Sequence, residues 1–233
     1  MNFGARLEAV AACVPACESL VDVGTDHAYL PVLLLQQGRI RKAVAGDIVP
    51  GPCEAARKTV RSHHLEQAIE VRQGSGLTVV SPGEVRTIVM AGMGAETMLH
   101  ILADSPEVWQ QADTMVLQPM NDSARLRHWA EQQGWAIDRE DLAEEGGRIY
   151  EILRLVPCPG YRYTGTLYEV GQLLIEQHHP LLLPFVRHLL EKYEMHLSQM
   201  RHSPKAMASE RYKSFQTIKT KLEGIARGNG NND

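Results

Sequence analysis

The stretch that decides the fold is Asp22-Val23-Gly24-Thr25-Asp26-His27-Ala28-Tyr29-Leu30-Pro31. It begins inside the β-rich run Leu20–Val23 and leads into the helical pattern Leu30–Gln37, so a glycine-containing turn joins a strand to a helix. A glycine at the carboxyl end of a first strand lets a ligand approach the backbone, where open α/β sheets bind nucleotides. The stretch therefore predicts a nucleotide-binding α/β domain.

Short β-rich runs and amphipathic helical patterns alternate from Ser19 to about Val156. The predicted strands are Leu20–Val23, Ala43–Asp47, Ile69–Arg72, Thr87–Met90 and Thr114–Leu117. The predicted helices are one around Leu7–Val14 and then Leu30–Gln37, Gly51–His64, Glu96–Leu102 and Ser123–Gln133. Such alternation is typical of a doubly wound parallel sheet covered by helices on both faces.

The rhythm changes at the end of this domain. The two β-like runs Trp135–Leu142 and Ile149–Val156 are separated only by a short acidic and glycine-containing turn. Because so short a connection cannot hold a crossover helix, these strands are predicted to be antiparallel neighbours. The sequence thus predicts a Rossmann-like domain over residues 1–157, a parallel sheet that ends in an antiparallel hairpin.

The C-terminal part contains no further strand pattern. After the breaker Pro157-Cys158-Pro159-Gly160, apolar residues keep helical spacing from Phe185 to Met200 and again from Tyr212 to Ile225. A Ser203-Pro204 break separates the two stretches. Residues 158–233 are therefore predicted to form an α-helical hairpin.

Charge is distributed unevenly along the 233 residues, whose formal net charge is −4. Residues 1–156 carry 14 Lys/Arg against 21 Asp/Glu, whereas residues 157–233 carry 10 against 7. From Arg201 onward the local balance is +4, with Arg211, Lys213, Lys219 and Lys221 among the cations. The basic end predicts phosphate contacts with a nucleic acid; the alternatives are a solvated helix face, a buttress for the first domain or self-association.

Several other classes of protein and site are not indicated. No segment approaches the ~20 apolar residues that cross a bilayer. The four cysteines have no C-x-x-C spacing, which favours free thiols and a cytoplasmic protein. The adjacent histidine pairs at 63–64 and 178–179 lack the i, i+4 spacing of metal ligands, so no metal is predicted. The sequence leaves the oligomeric state open, a monomer included.

The predicted second strand ends at Asp47, 23 residues after Gly24. That is close to the ~20-residue spacing at which a carboxylate accepts hydrogen bonds from ribose hydroxyls. A dinucleotide pyrophosphate requires further glycines, yet Asp26 and Tyr29 occupy those positions. S-adenosylmethionine therefore fits better than NAD, and a NAD-dependent oxidoreductase remains the alternative.

Small residues follow the next two predicted strand ends as well. Gly74-Ser75-Gly76-Leu77 follows the third strand and Ala91-Gly92-Met93-Gly94 the fourth. Both lie at the predicted carboxyl edge of the sheet and leave room for a planar group. A methionine between two glycines just beyond a strand is poorly placed to fill a core, so Met93 is interpreted as a cofactor contact.

Together these strings resemble the bacterial tRNA (adenine(22)-N1)-methyltransferase family, a class I S-adenosylmethionine-dependent family. The resemblance also rests on Gly51-Pro52, Leu117-Gln118-Pro119 and Ile149-Tyr150-Glu151-Ile152, and it extends from about Arg6 to the helical hairpin. It implies methyl transfer to N1 of an adenine in the D arm of tRNA, with the hairpin binding the tRNA. Ser75 departs from the acidic residue usual in the family, which predicts weaker cofactor binding, and Ala95 replaces a frequent glycine.

The resemblance and the strand ends together suggest three groups of site residues. The cofactor is expected to contact Asp22, Gly24, Thr25, Asp47, Ile48, Gly74, Ser75, Gly76, Leu77, Ala91, Gly92 and Met93. The substrate is expected to contact Arg6, Gln118, Pro119, Arg211, Lys213, Lys219 and Lys221. The catalytic candidates are Asp26, His27 and Tyr29.

Among the catalytic candidates, Asp26 is expected to accept a hydrogen bond from the adenine amino group or to take up a released proton. His27 and Tyr29 would shape the base pocket, and the alternative for His27 is a histidine that only serves the start of a helix. A non-catalytic RNA-binding module with the same fold is the third functional hypothesis, suggested by Ser75.

Overall fold

The computed structural model describes residues 3–229. The chain divides into two compact units, Met1–Tyr163 and Thr164–Asp233. The sequence predicted a boundary after residue 157, slightly earlier than the boundary between the two units. The residues that follow 157 still contact the first unit. Cys158 N, for example, donates a 2.7 Å hydrogen bond to Gly134 O.

Seven strands form one sheet in the first unit. They are β1 (Ser19–Val23), β2 (Lys42–Asp47), β3 (Ile69–Gln73), β4 (Thr87–Met93), β5 (Thr114–Pro119), β6 (Trp135–Glu145) and β7 (Arg148–Pro157). Their order is β3-β2-β1-β4-β5-β7-β6. The first five strands are parallel and β7 runs antiparallel to both β5 and β6, which confirms the predicted Rossmann-like architecture.

The helices of the first unit are α1 (Ala5–Cys13), α2 (Tyr29–Gln36), α3 (Pro50–Ser62), α4 (Ala95–Asp104), α5 (Pro106–Trp109) and α6 (Ser123–Gln133). A 3₁₀ turn covers Gly76–Val79. The helices predicted between the strands are all present, with ends shifted by one or two residues at most. The short helix α5 is an addition that the sequence pattern did not predict.

The central strands are apolar because helices cover both of their faces. In β5 all six residues are buried, and in β1 only Ser19 is partly exposed. Val21 of β1 is in register with Val44 of β2 and Ile88 of β4. Such continuous apolar runs are what parallel strands require when no face meets water.

The β6–β7 hairpin is tighter than its sequence pattern suggested. The strands continue to Glu145 and restart at Arg148, so the turn consists of Gly146 and Gly147 alone. Both glycines have positive φ values, 59° and 73°. A two-residue hairpin turn of this kind needs positive φ at both positions, which glycine adopts without steric cost.

A buried ion network ties α6 to this hairpin. The Arg127 side chain has no exposed surface; its Nε lies 2.9 Å from Glu140 Oε1 and its Nη2 2.7 Å from Glu151 Oε2. Ser123 Oγ donates to Glu151 Oε1 at 2.5 Å. Glu151, part of the Ile149–Ile152 string, therefore has a structural role, since losing one partner of a buried ion pair is strongly destabilising.

The second unit consists of helices. They are α7 (Gln172–Glu176), α8 (Leu182–Met200), α9 (Pro204–Met207) and α10 (Glu210–Asn229). The rings of Tyr193 and Phe215 pack edge to face between α8 and α10, with centroids 5.3 Å apart. The predicted helical hairpin is confirmed, with α9 at the Ser203-Pro204 break. Within residues 3–229 no helix has the length and apolar character to cross a bilayer.

Candidate cofactor and substrate cavities

A cavity of about 380 Å³ opens at the carboxyl ends of β1, β2, β3 and β4. Nine of the predicted cofactor residues line it: Gly24, Asp47, Ile48, Gly74, Ser75, Gly76, Ala91, Gly92 and Met93. Val23, Gly46, Thr97 and Ile101 complete the lining. The sheet topology thus brings four separate strand ends to one site, as expected for an open α/β sheet.

The turn after β1 is closed by backbone hydrogen bonds and has no room for a side chain. Gly24 N and Thr25 N both donate to Gly46 O, at 2.8 and 3.0 Å. Gly24 has a φ of +72°, and a Cβ atom there would lie 2.2 Å from Met93 Cε. Glycine therefore keeps the backbone of β1 open to a ligand beside the Met93 side chain.

Asp47 closes β2 and holds the two loops that border the cavity. Its Oδ2 accepts from Asp26 N at 3.3 Å and its Oδ1 from Val49 N at 2.9 Å. Ile48, the next residue, is 61% exposed although it is apolar. The carboxylate of Asp47 can accept hydrogen bonds from a ribose. The exposed side chain of Ile48 can cover the face of the base attached to that ribose.

A second cavity of about 270 Å³ adjoins the first, because Gly24, Ala91 and Gly92 line both. The remaining lining residues come from α1 and the residues before it, from β1 and the turn after it, and from the start of α2: Phe3, Arg6, Leu7, Asp22, Thr25, Asp26, His27, Tyr29 and Leu30. The structure therefore places all three catalytic candidates together. It places Asp22 and Thr25, expected at the cofactor, in this second cavity.

Asp26, His27 and Tyr29 form a local cluster at the mouth of the second cavity. His27 Nε2 lies 3.5 Å from Asp26 Oδ2, and the side chain of Asp26 is 68% exposed. The rings of His27 and Tyr29 are stacked, with centroids 5.1 Å apart and an interplanar angle of 12°. Tyr29 remains 41% exposed, so an aromatic face is available at the opening.

Asp22 is a buried acid within this cavity. Burial raises the pKa of its carboxyl group to about 6, the hydrogen bond from Thr25 works in the opposite direction, and the charge of Asp47 adds to the rise. Thr25 Oγ1 donates that bond to Asp22 Oδ2 at 2.6 Å. The pair presents one carboxylate whose charge is poorly solvated.

Gln118 connects the N-terminal helix to both cavities. Its Oε1 accepts from Arg6 Nη1 at 2.6 Å and from Gly92 N at 3.1 Å, and its Nε2 donates to Pro119 O at 2.9 Å. Gln118 and Pro119 are buried at the end of β5. Of these predicted substrate residues only Arg6 lines the second cavity, and Gln118 positions it.

Leu77 has a different position from the other predicted cofactor residues. Its side chain is fully buried in the 3₁₀ turn and does not line the cavity. Thr97 and Ile101, which the sequence analysis missed, line it instead from α4. The sequence signal for these two residues is their i, i+4 spacing just after the Ala91–Gly94 segment. Such spacing puts two side chains on one face of a helix, and the first turns of a helix that follows a strand lie at the carboxyl edge of the sheet.

The predicted substrate residues of the second unit all lie on α10. Lys213 pairs with Glu210 at 2.8 Å, and Lys219 lies 2.6 Å from Glu194 of α8. The Arg211 guanidinium lies 5.1 Å from the centroid of the Phe215 ring. Lys221 Nζ donates to Thr166 O at 3.2 Å.

Comparison with known proteins is consistent with this site. Residues 3–153 match the family described as a methyltransferase domain. The chain belongs to this methyltransferase family. It is 35% identical over 153 residues to the tRNA (adenine(22)-N(1))-methyltransferase of Bacillus subtilis, a match that covers 66% of this chain and 64% of that protein. The match thus spans slightly less than two thirds of this curated relative.

Solved structures resemble the methyltransferase over nearly its whole length. The crystal structure of the B. subtilis m1A22 tRNA methyltransferase TrmK has a TM-score of 0.85 at 26% identity and covers 96% of this chain and 98% of that one. A Streptococcus pneumoniae protein in complex with S-adenosyl-L-methionine has a TM-score of 0.79 at 31% identity, covering 95% and 98%. Within residues 3–229 of the methyltransferase, no group of three or more His, Cys, Asp or Glu side chains is arranged to hold a metal.

Proposed function

We propose that this protein transfers a methyl group from S-adenosylmethionine to N1 of an adenine in tRNA, at position 22 of the D arm. The observation that carries the proposal is the pair of cavities that share Gly24, Ala91 and Gly92. One has the strand-end glycines and the carboxylate suited to a nucleoside cofactor. The other has an aromatic and carboxylate lining suited to a single base. A cofactor in one cavity and a base in the other would lie on either side of this common wall.

The first cavity fits S-adenosylmethionine. Gly24 and Gly46 keep it open, since a Cβ atom at either would lie within 2.7 Å of Met93 or Val79 side-chain atoms. Asp47 would accept hydrogen bonds from the ribose hydroxyls, and Ile48 would cover the adenine ring. When bound, the cofactor supplies a methyl group activated by a sulfonium, which becomes a thioether after transfer.

The second cavity is assigned to the target adenine. In a paired stem N1 is engaged in a Watson–Crick hydrogen bond, so the nucleotide must leave the stack, at a cost of a few kcal/mol. Tyr29, stacked on His27, offers an exposed ring for the flipped base. Arg6, held by Gln118, supplies a positive charge for a flanking phosphate.

Catalysis depends on alignment and on charge. The in-plane lone pair of N1 is the nucleophile, and the methylated base carries a positive charge, so no proton has to be removed. Asp26 and Asp22 both line the second cavity, where their carboxylates stabilise that charge. Asp26 is also exposed enough to accept a hydrogen bond from the adenine amino group.

The helical hairpin is proposed to bind the tRNA outside the target nucleotide. The first domain is acidic and the C-terminal end is basic, so the basic residues of α10 are the candidates for phosphate contacts. Lys219, which is paired with Glu194, is assigned to holding α8 and α10 together.

All four cysteines are free thiols, which supports a cytoplasmic location.

Methyl incorporation into a tRNA transcript tests the proposal. The full-length protein is incubated with tritiated S-adenosylmethionine and an unmodified transcript, with a transcript carrying guanine at position 22 as the control. Labelling of the first transcript alone, with a primer-extension stop at that position, is expected. Labelling of both would assign another nucleotide, and labelling of neither would favour a non-catalytic RNA-binding module.

Binding of the cofactor is tested separately by thermal shift. S-adenosylmethionine is expected to raise the melting temperature, because a ligand that binds only the folded state stabilises it. NAD is expected to leave it unchanged. Protection by NAD alone would support the oxidoreductase alternative and overturn the assignment of the first cavity.

A further inference from the structure

The tip of the β6–β7 hairpin lies against the start of α1. Helix α1 packs on β6, and Gly4, the residue before the helix, has a φ of +82°. A Cβ atom at Gly4 would collide with Oε1 of Glu145, the last residue of β6. Glycine therefore leaves room for a carboxylate of the hairpin beside the backbone that enters α1.

The residues on both sides of Gly4 reach the second cavity. Phe3 and Arg6 line that cavity. The Phe3 ring also lies beside the Tyr29 ring, with centroids 6.0 Å apart and an interplanar angle of 59°. Residues 3–6, which we name the entry segment, therefore supply part of the wall of the cavity assigned to the target adenine. Glu145 contacts this segment in its middle.

The guanidinium of Arg6 is held from three directions. Its Nη1 donates to Gln118 Oε1 at 2.6 Å, and its Nε lies 3.8 Å from Glu145 Oε2. Its Cζ lies 5.8 Å from the centroid of the Tyr150 ring, within the range of a cation–π interaction. Within residues 3–229 no hydrogen-bond acceptor is found for Nη2. An oriented guanidinium thus keeps one nitrogen for an acceptor on the substrate.

The carboxylate of Glu145 is explained by neither stability nor attraction of RNA. The side chains of Arg6 and Glu145 are 28% and 39% exposed, and ion pairs this exposed contribute little to stability. A negative charge beside Arg6 also repels an approaching phosphate. What the carboxylate does provide is a fixed direction for the guanidinium and a fixed place for Gly4. Glu145 itself lines neither cavity.

We propose that Glu145 is a positioning residue for methyl transfer. Through Arg6 and Gly4 it holds the entry segment at the second cavity, so that the flipped adenine enters with N1 in line with the methyl group of the cofactor. The inference rests on the proposed function, and it adds to the substrate site a residue of the β6–β7 hairpin that contacts neither cofactor nor base.

The first test removes the charge of Glu145 in the full-length protein. Glu145→Gln keeps the size of the side chain. Glu144→Gln is the matched control, because adjacent residues of a strand point to opposite faces and, among residues 3–229, Glu144 is paired with no cation. Methyl incorporation at saturating tRNA gives kcat, and fluorescence anisotropy gives the Kd for the tRNA transcript. Thermal melts check folding.

Glu145→Gln is expected to lower kcat about fivefold or more, because the base is less well aligned. The Kd for tRNA should stay the same or decrease slightly, since the lost charge is negative. Glu144→Gln should keep the wild-type kcat. Tighter tRNA binding with wild-type kcat in Glu145→Gln would mean that Glu145 acts only as a charge near the RNA, and it would overturn the proposal. Equal losses of kcat in the two variants would overturn it as well.

A double-mutant cycle tests whether the charge of Glu145 acts through Arg6. In an Arg6→Met protein, the addition of Glu145→Gln should change kcat by less than about twofold, because the partner of the carboxylate is already absent. Losses of kcat that multiply in the double variant would show that Glu145 acts independently of Arg6, against the proposal.

A second variant displaces the carboxylate without changing any charge. Gly4→Ala places a Cβ atom against Glu145 Oε1 and should lower kcat as Glu145→Gln does. Gly38→Ala is the control, because Gly38 also has a positive φ, +66°, but nothing lies within 4 Å of its Cβ position. A similar loss of kcat in both variants would assign the effect to backbone strain and overturn the proposal.

The same measurements separate this inference from the proposed function. Failure of the wild-type protein to methylate tRNA would refute the proposed function and, with it, the role of Glu145. Wild-type kcat in a folded Glu145→Gln protein, in an enzyme that does methylate tRNA, would refute the role of Glu145 alone.

Discussion

The Arg6 guanidinium donates a 2.6 Å hydrogen bond to the side-chain oxygen of Gln118, although the two residues are 112 positions apart in the chain. The same oxygen accepts the backbone N–H of Gly92, which lines both cavities. One buried amide therefore fixes the N-terminal helix and the end of β4 in a common position. This arrangement couples the N-terminal helix to the wall between the two cavities.

Replacing Gln118 should destabilise the domain and loosen that wall. In Gln118→Ala the N–H of the exposed Gly92 and the partly exposed guanidinium of Arg6 lose their acceptor, and the loss of these two hydrogen bonds costs about 1–3 kcal/mol together. The free energy of unfolding from urea titration should fall by an amount in this range, whereas Gln132→Ala on the exposed side of α6 should leave it unchanged. A Gln118→Ala protein as stable as the wild type would show that other contacts hold the end of β4.

Asp47 should determine cofactor affinity. The ribose hydroxyls would lose a charged acceptor in Asp47→Ala, at about 1.5–3 kcal/mol for such a bond, so S-adenosylmethionine should bind at least tenfold more weakly by calorimetry. The exposed Asp104→Ala serves as the control for loss of one negative charge. Unchanged affinity in Asp47→Ala would remove Asp47 from the cofactor site.

Replacing Ser75 by aspartate tests whether this residue contacts the cofactor, because the change should raise the affinity for S-adenosylmethionine. Ser75 lies exposed on the wall of the first cavity, where the family resemblance implies an acidic residue. Ser75→Asp should therefore bind S-adenosylmethionine several-fold more tightly, because a carboxylate is a stronger acceptor than a hydroxyl and the cofactor is cationic. Ser81→Asp, at an exposed position outside the cavity, controls for added charge. Equal or weaker binding would show that Ser75 does not contact the cofactor.

The sequence predicted which residues meet in the first cavity because most of them follow strand ends, and strand ends share one edge of a parallel sheet. It was less informative about side-chain direction. Strand β1 is buried on both faces, so no polar alternation showed that Asp22 points into the second cavity. Leu77 was expected at the cofactor, yet the 3₁₀ turn buries it. The ion pair between Lys219 and Glu194 depends on how α8 packs against α10, which helical periodicity alone does not specify.

Asp22 should make stability depend on pH in a defined window. Its pKa is about 6 in the folded protein against an ordinary value of 3.8, so the folded state holds the proton more tightly. The cost of burying the carboxylate is therefore absent below roughly pH 4 and complete above roughly pH 6. Relative to Asp22→Asn, the wild type should lose about 3 kcal/mol of stability as pH rises through this window. Urea unfolding of both proteins at several pH values measures this difference, and a constant difference would show that Asp22 is not a poorly solvated acid.

Asp26 should affect methyl transfer more than cofactor binding. Its contact with Asp47 is made by its backbone N–H, which Asp26→Asn retains, and asparagine tolerates its φ of 52°. Only the negative charge of the Asp26 side chain is lost, so kcat should fall about tenfold or more while the affinity for S-adenosylmethionine stays near the wild-type value. Asp122→Asn is the matched control, since Asp122 is also exposed and has a φ of 50°. If cofactor affinity falls in step with kcat, Asp26 acts on the cofactor; if neither changes, the carboxylate of Asp26 has no part in the reaction.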